Sequence, residues 1–218
     1  MTRSGISAVV LDLDGTLVDS LPGIEASLRF AVEQCLPGRS LPDVRAVIGP
    51  PVGLMLRALF PDLAEDDLAR TVAEFRLHYD IEGCLRSRLY DGVCETLAAL
   101  TRSAVALFIL TNKPLRPTLR ILEAVALRDQ FRAVVCPDSS DPAFAIKAEG
   151  AKRLTQEYGL APGSTMLVGD GPDDADAAAA CGFAFAAAAY GYGNVLGRRV
   201  IESRIILKNF SELAGAVL

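Results

Sequence analysis

Two aspartates stand two residues apart in this chain. Asp12 and Asp14 follow the apolar run Val9-Val10-Leu11 and precede Gly15-Thr16-Leu17-Val18-Asp19-Ser20. Side chains alternate along a strand with period two, so both carboxylates tend to one side. Gly15 permits a sharp turn and close approach of backbone to a ligand. Carboxylates at the C-terminal end of a parallel strand lie where open α/β sheets bind their ligands. The bland alternative is a strand that ends in a polar turn.

Three other stretches carry matching chemistry. Thr111-Asn112-Lys113-Pro114 follows the apolar run Leu107-Phe108-Ile109-Leu110. Lys147 opens a helical pattern, and Gly169-Asp170-Gly171-Pro172-Asp173-Asp174 follows Met166-Leu167-Val168. Each also has an ordinary reading. Thr111-Asn112 would serve as a helix cap, and Lys147 as a solvated helix residue with Lys152 as its rival. Asp173 and Asp174 would suit the positive N-terminus of a helix.

Asp12, Asp14, Asp170 and Asp174 would bring up to four negative charges together. Unit charges about 4 Å apart repel by roughly 4 kcal/mol at an effective dielectric near 20. Such a cluster needs a divalent cation and a lysine. An oxygen-only ligand set suits Mg²⁺. Crowded anions also raise one carboxyl pKa, as a proton donor requires.

These residues need a sheet edge to meet. Residues 8–13 read as a buried strand. A helix follows from Ser20, with Pro22 in its first turn and Ile24, Leu28, Ala31, Val32 and Cys35 at helical spacing. Further helices are expected over Pro42–Ile48, Val52–Phe60 and about 65–82, with no convincing strand across 20–88. Strand–helix alternation then resumes. Helices are expected at 93–102, 115–126, 146–158 and 173–181. Strands are expected at 104–110, 133–135, 165–168, 183–187 and 205–207. The fold class is α/β, a Rossmann-like doubly wound parallel sheet. An all-helical cap is inserted after the first strand. The domains divide as 1–19 with 89–218 for the core and 20–88 for the cap.

At this point the motifs resemble a known family. Asp-x-Asp-Gly-Thr-Leu-Val-Asp-Ser, Thr-Asn-Lys-Pro, a helix-opening lysine and Gly-Asp-x-x-x-Asp-x-x-Ala-Ala-x-x-x-Gly occur in the order found in haloacid dehalogenase superfamily phosphatases with a helical cap. Tyr90-Asp91-Gly92-Val93 also fits, where the chain returns from the cap. The resemblance implies that Asp12 attacks phosphorus and forms an aspartyl-phosphate. It implies that Asp14 protonates the leaving oxygen and then activates water. Thr111 and Lys147 would hold the phosphoryl oxygens. Asp12, the Asp14 carbonyl and Asp170 would bind Mg²⁺, with Asp174 close by.

Backbone groups at Gly15 and Thr16, with Asn112, would add contacts to the substrate. Thr111-Asn112-Lys113-Pro114 resembles the phosphoglycolate phosphatase branch. Arg45 or Arg57 of the cap would then bind a substrate carboxylate. Nucleotide, pyrophosphate and sugar-phosphate phosphatases, or a sugar-phosphate mutase, share the core chemistry. A dehalogenase needs no Asp14-type acid. A phosphonatase needs a cap lysine, and 20–88 contains none. Two departures from the family pattern bear on substrate preference: Lys147 is followed by alanine rather than proline, and Asp170 by Gly171-Pro172 rather than serine.

Composition bounds the rest. The chain has 218 residues and a net charge of −5, which argues against general nucleic-acid binding. No apolar run spans a bilayer, and Met1–Ser7 lacks a signal-peptide pattern. Five scattered cysteines read as reduced thiols of a cytoplasmic protein, and the sole histidine, His78, as structural. The expected partner is a small phosphorylated metabolite, with no nucleic acid or membrane, for a monomer or homodimer. Gly191-Tyr192-Gly193 faintly resembles a dinucleotide loop but lacks Gly-x-Gly-x-x-Gly.

Overall fold

The strand Ala8–Leu11 (β1) is buried along its whole length. Its alternate residues serve two different cores. Val9 and Leu11 join one apolar cluster, and Ala8 and Val10 the other. A strand covered on both faces is what a near-continuous apolar run makes in a parallel sheet. The computed structural model describes residues 5–192 and 205–218.

Six strands form this sheet: β1, Ala106–Leu110 (β4), Ala133–Val135 (β5), Thr165–Gly169 (β6), Ala184–Ala188 (β7) and Ile205–Leu207 (β8). Their order is β5-β4-β1-β6-β7-β8, and every pair is parallel. The chain builds outward from β1 to β5, then crosses back to place β6 on the other side of β1. That reversal leaves a crevice at the strand ends, where such sheets bind ligands. The connecting helices are Val93–Arg102 (α4), Leu115–Ala124 (α5), Lys147–Tyr158 (α6) and Pro172–Cys181 (α7). α6 and α7 end at Gly159 and Gly182, both left-handed, as the sequence predicts.

The cap contributes Leu21–Cys35 (α1), Val52–Leu59 (α2) and Glu65–Ile81 (α3). Ile24, Leu28, Ala31, Val32 and Cys35 of α1 are buried, as are Leu68, Phe75 and Tyr79 of α3. Those spacings place one apolar face of each helix against the other. Three acidic residues open α3, where the helix dipole favours them. No helix among the described residues is long and apolar enough to cross a membrane.

Several details differ from the expectation. A two-stranded antiparallel ribbon, Val18–Asp19 (β2) with Arg88–Leu89 (β3), carries the chain into and out of the cap. Two residues per strand are too few for a periodicity signal. The helix expected at Pro42–Ile48 is only a 3₁₀ turn at Arg45–Val47. The fourth strand starts at Ala106 rather than Ala104, because Ala104 adopts a positive φ of 62°. A C-terminal helix, Glu212–Val217 (α8), was not expected. Ser20 does not cap α1. Asp19 Oδ1 accepts the Leu21 N–H at 3.1 Å, which frees the Ser20 hydroxyl to meet Tyr192 at 2.6 Å. All five cysteines are free.

Candidate active site

Asp12 follows β1 directly, and its N–H donates to the Val168 carbonyl of β6 at 2.9 Å. The register thus fixes the carboxylate at the switch point. Lys147, first residue of α6, places Nζ 2.6 Å from Asp12 Oδ1 and 2.6 Å from Asp174 Oδ1. Asp173 Oδ2 is 3.9 Å from the same ammonium and accepts from Asn112 Nδ2 at 2.6 Å. Asp174 reaches back through Oδ2 to the Gly171 N–H at 3.0 Å, which locks the start of α7. Lys152 is exposed, so Lys147 is the lysine of this site.

Asp12, Asp170 and Asp174 each bring an oxygen within 4.8 Å of the others, and all three are buried. Gly15 makes room for them. It has φ 76°, and a Cβ there would lie 2.0 Å from Asp170 Oδ2. Gly169 does the same for Asp174, whose Cγ would be 2.1 Å from an added Cβ. An all-oxygen donor set this compact fits Mg²⁺.

Burial pushes the Asp12 carboxyl up to about 8 and Asp174 to about 7, against the pull of Lys147. Burial acts in the opposite sense on Lys147, lowering it. Asp12, Asp174 and Asp173 outweigh it and hold the ammonium well above its ordinary value. The floor of the pocket carries more carboxyl groups than one lysine can pair.

Asp14 is held apart from this cluster. Its Oδ2 lies 2.9 Å from Lys113 Nζ, and its Oδ1 is buried with no hydrogen-bond partner among the described residues. Lys113 also donates to the Tyr79 hydroxyl of the cap at 2.8 Å, and its ammonium lies 4.5 Å from that ring's centroid. Thr111 Oγ1 accepts the Lys113 N–H at 3.2 Å, which leaves its own proton for a ligand.

These groups line one cavity of about 690 Å³ between cap and core. Asp12, Asp14, Thr111, Asn112, Lys147, Asp170 and Asp174 all line it. Gly15 and Thr16 do not: Gly15 lies against Asp170, and Thr16 is fully buried, with Oγ1 3.5 Å from Asp12 Oδ2. Arg45 and Arg57 also lie outside the lining, and Arg57 instead pairs with Glu65. The cap arginine that lines the cavity is Arg76. Lys113, Arg76 and Tyr79 are the site residues that sequence reasoning missed. The signal for Lys113 was its place beside Thr111; Arg76 left none, since only the packing of α3 over the core brings it to the cavity. His78 is not in the lining; its ring stacks on Phe30 and its Nδ1 lies 2.9 Å from Ser27 Oγ.

The profile of the haloacid dehalogenase-like hydrolases matches residues 6–182. The chain belongs to that family. This hydrolase is 33% identical over 180 residues to a phosphoglycolate phosphatase of Thiobacillus denitrificans, covering 78% of this chain and 77% of that protein. It is 30% identical over 179 residues to an N-acetylmuramic acid 6-phosphate phosphatase of Pseudomonas aeruginosa, covering 78% and 76%. Among solved structures, it superposes on a predicted phosphoglycolate phosphatase from Haemophilus somnus with a TM-score of 0.84. That pair is 27% identical and covers 98% and 99% of the two chains. In this hydrolase the Tyr190–Tyr192 segment also walls the site. Tyr190 donates its hydroxyl to the Thr16 carbonyl at 2.9 Å, and Tyr192 lines the cavity. Gly193 of the dinucleotide-like motif lies outside the described residues.

Proposed function

We propose that this hydrolase is a Mg²⁺-dependent phosphatase of small phosphate monoesters, acting through an aspartyl-phosphate on Asp12. The observation that carries this reading is the pairing of two differently held carboxylates in one cavity. Asp12 sits in the metal-competent cluster with Lys147, and Asp14 sits beside it with one buried oxygen unpartnered. An unpartnered buried oxygen is costly unless a proton or a ligand donor meets it.

Asp12, Asp170 and the Asp14 carbonyl, with Asp174 close by, would hold Mg²⁺, which would offset negative charge on the phosphoryl group. Asp12 attacks phosphorus as the bond to the leaving oxygen breaks, and Asp14 gives that oxygen its proton. Asp14 then takes a proton from the water that attacks the aspartyl-phosphate, and phosphate departs. Thr111 and Lys147 steady the phosphoryl oxygens. Asn112 orients Asp173 and faces the same cavity.

The leading substrate is 2-phosphoglycolate, by analogy with the relatives. Their names also include a sugar-phosphate phosphatase, which keeps larger monoesters in view. The same reading takes 20–88 as the cap and 1–19 with 89–218 as the core. It places the chain in the cytoplasm as a monomer or homodimer acting on metabolites. The test is phosphate release from p-nitrophenyl phosphate with Mg²⁺, followed by a panel of phosphoglycolate, nucleotides, pyrophosphate and sugar phosphates. Turnover lost in Asp12→Asn supports the reading. No turnover on any ester would favour a phosphate-binding module instead.

A further inference from the structure

The cavity has two electrical ends. Its floor carries Asp12, Asp170, Asp173 and Asp174 around Lys147. Its cap-facing side carries two cations, Lys113 and Arg76, with Asp14 paired to Lys113 and Asp80 nearby. The phosphatase chemistry uses the first end and leaves the second unexplained.

Lys113 is 8% exposed. An ammonium carries three donors, and a buried one is costly unless they are met. Two are met here, by Asp14 Oδ2 and the Tyr79 hydroxyl. No third acceptor is found among the described residues. Arg76 lies three residues before Tyr79 on α3, so both are on one helix face. Arg76 has no ion-pair partner within 4.0 Å among the described residues, yet it lines the cavity. The neighbouring acid of this wall is Asp80, and it is outnumbered by the cations that act on it: Arg116, Lys113, Arg76 and Arg120.

We propose that Lys113 and Arg76 form a subsite for a second anionic group on the leaving-group side of the substrate, with Tyr79 holding Lys113 in place from the cap. This rests on the phosphatase reading. Lys113 touches Asp14 directly, so an anion bound there lies next to the residue that serves the leaving oxygen. Recognition and proton transfer then meet at one point. An ester with a neutral leaving group leaves Arg76 without an anionic partner and the third donor of Lys113 unmet.

The test compares 2-phosphoglycolate with 2-hydroxyethyl phosphate, a neutral ester of similar size, within each variant. The wild-type enzyme prefers the charged ester in kcat/KM. Arg76→Ala lowers that preference about tenfold, mainly through KM, the size of one charged hydrogen bond. Arg76→Lys restores part of it. Ethylene glycol bisphosphate, run beside these, tells a carboxylate from a second phosphate. A preference for either charged ester supports the subsite, and a preference for neither overturns it. An unchanged preference in Arg76→Ala also overturns it.

Lys113→Met disturbs Asp14, so there the readout is binding. Calorimetric titration compares 3-phosphonopropionate with propylphosphonate. Loss of discrimination supports the subsite, and retained discrimination overturns it. If none of the esters is turned over, p-nitrophenyl phosphate included, the phosphatase reading fails, and the phosphonate titration still decides the subsite.

Discussion

Asp12 and Asp174 share one ammonium. Lys147 Nζ lies 2.6 Å from an oxygen of each, although 162 positions separate the two aspartates in the chain. One ammonium set between two buried carboxyls leaves them holding protons well above the ordinary aspartate range, and those protons govern how the protein responds to pH and to cations.

Stability of the metal-free protein should fall as pH rises from about 4 to about 8. Burial keeps Asp12 protonated to about 8 and Asp174 to about 7 in the folded chain, against 3.8 for an ordinary aspartate. Within that window the unfolded chain has released protons that the folded chain still binds, so rising pH favours unfolding. Below about 4 both states are protonated and this contribution is fully present. Melting temperatures of chelator-treated protein at pH 5, 6, 7 and 8 check this. Added Mg²⁺ is expected to flatten the slope, since a ligand of the folded state stabilises it. A melting temperature that climbs steadily from pH 5 to 8 without metal would contradict the cluster.

Asp14→Asn should separate esters by leaving group. A simple alkoxide needs a proton as it departs, whereas p-nitrophenolate does not. The variant should lose about 10²–10⁴ in kcat/KM, which reports the step that expels the leaving group, on alkyl phosphates and less on p-nitrophenyl phosphate. Equal losses on both esters would remove Asp14 from that role.

Gly15→Ala should damage stability and metal affinity together. The residue has φ 76°, and its added methyl would lie 2.0 Å from Asp170 Oδ2. The left-handed backbone alone costs about 1–2 kcal/mol for an alanine. Displacement of Asp170 then weakens the cluster. Urea unfolding and Mg²⁺ titration read the two effects separately. Unfolding loss with unchanged Mg²⁺ affinity would show that Asp170 stays in place.

Tyr192→Phe should cost about 1 kcal/mol, the value of a hydrogen bond. Its hydroxyl meets Ser20 Oγ at 2.6 Å and accepts the Ser20 N–H at 3.3 Å, where the chain enters the cap. Chemical denaturation measures the loss. No change would mean that water replaces the tie at no cost.

The sequence made the floor of the cavity legible because each of its residues ends a strand or opens a helix. Asp12, Thr111, Lys147 and Asp170 all lie at such junctions, and parallel strands bring their C-terminal ends to one edge. The opposite wall was hidden for the converse reason. Arg76 sits in mid-helix, and nothing local distinguishes it from Arg45 or Arg57. Only the packing of α3 over the core selects it. Asp14 shows the limit of periodicity. Period two puts it beside Asp12, but the chain leaves the strand after Leu11, and Asp14 turns to a different lysine. The alternation of strands and helices was strong because each run was long. β2, β3 and α8 were too short to leave a pattern.

The ribbon of β2 and β3 has a consequence for construction. Asp19 and Arg88 are paired neighbours, so the ends of the segment between them lie about 5 Å apart. A two-residue turn closes such a gap. The ribbon therefore sets no length for the helical segment, but the packing ties it to the sheet: Ile24, Leu28, Phe75 and Tyr79 share one apolar cluster with Val9 and Leu11, so cutting the segment out would bare apolar surface on the core.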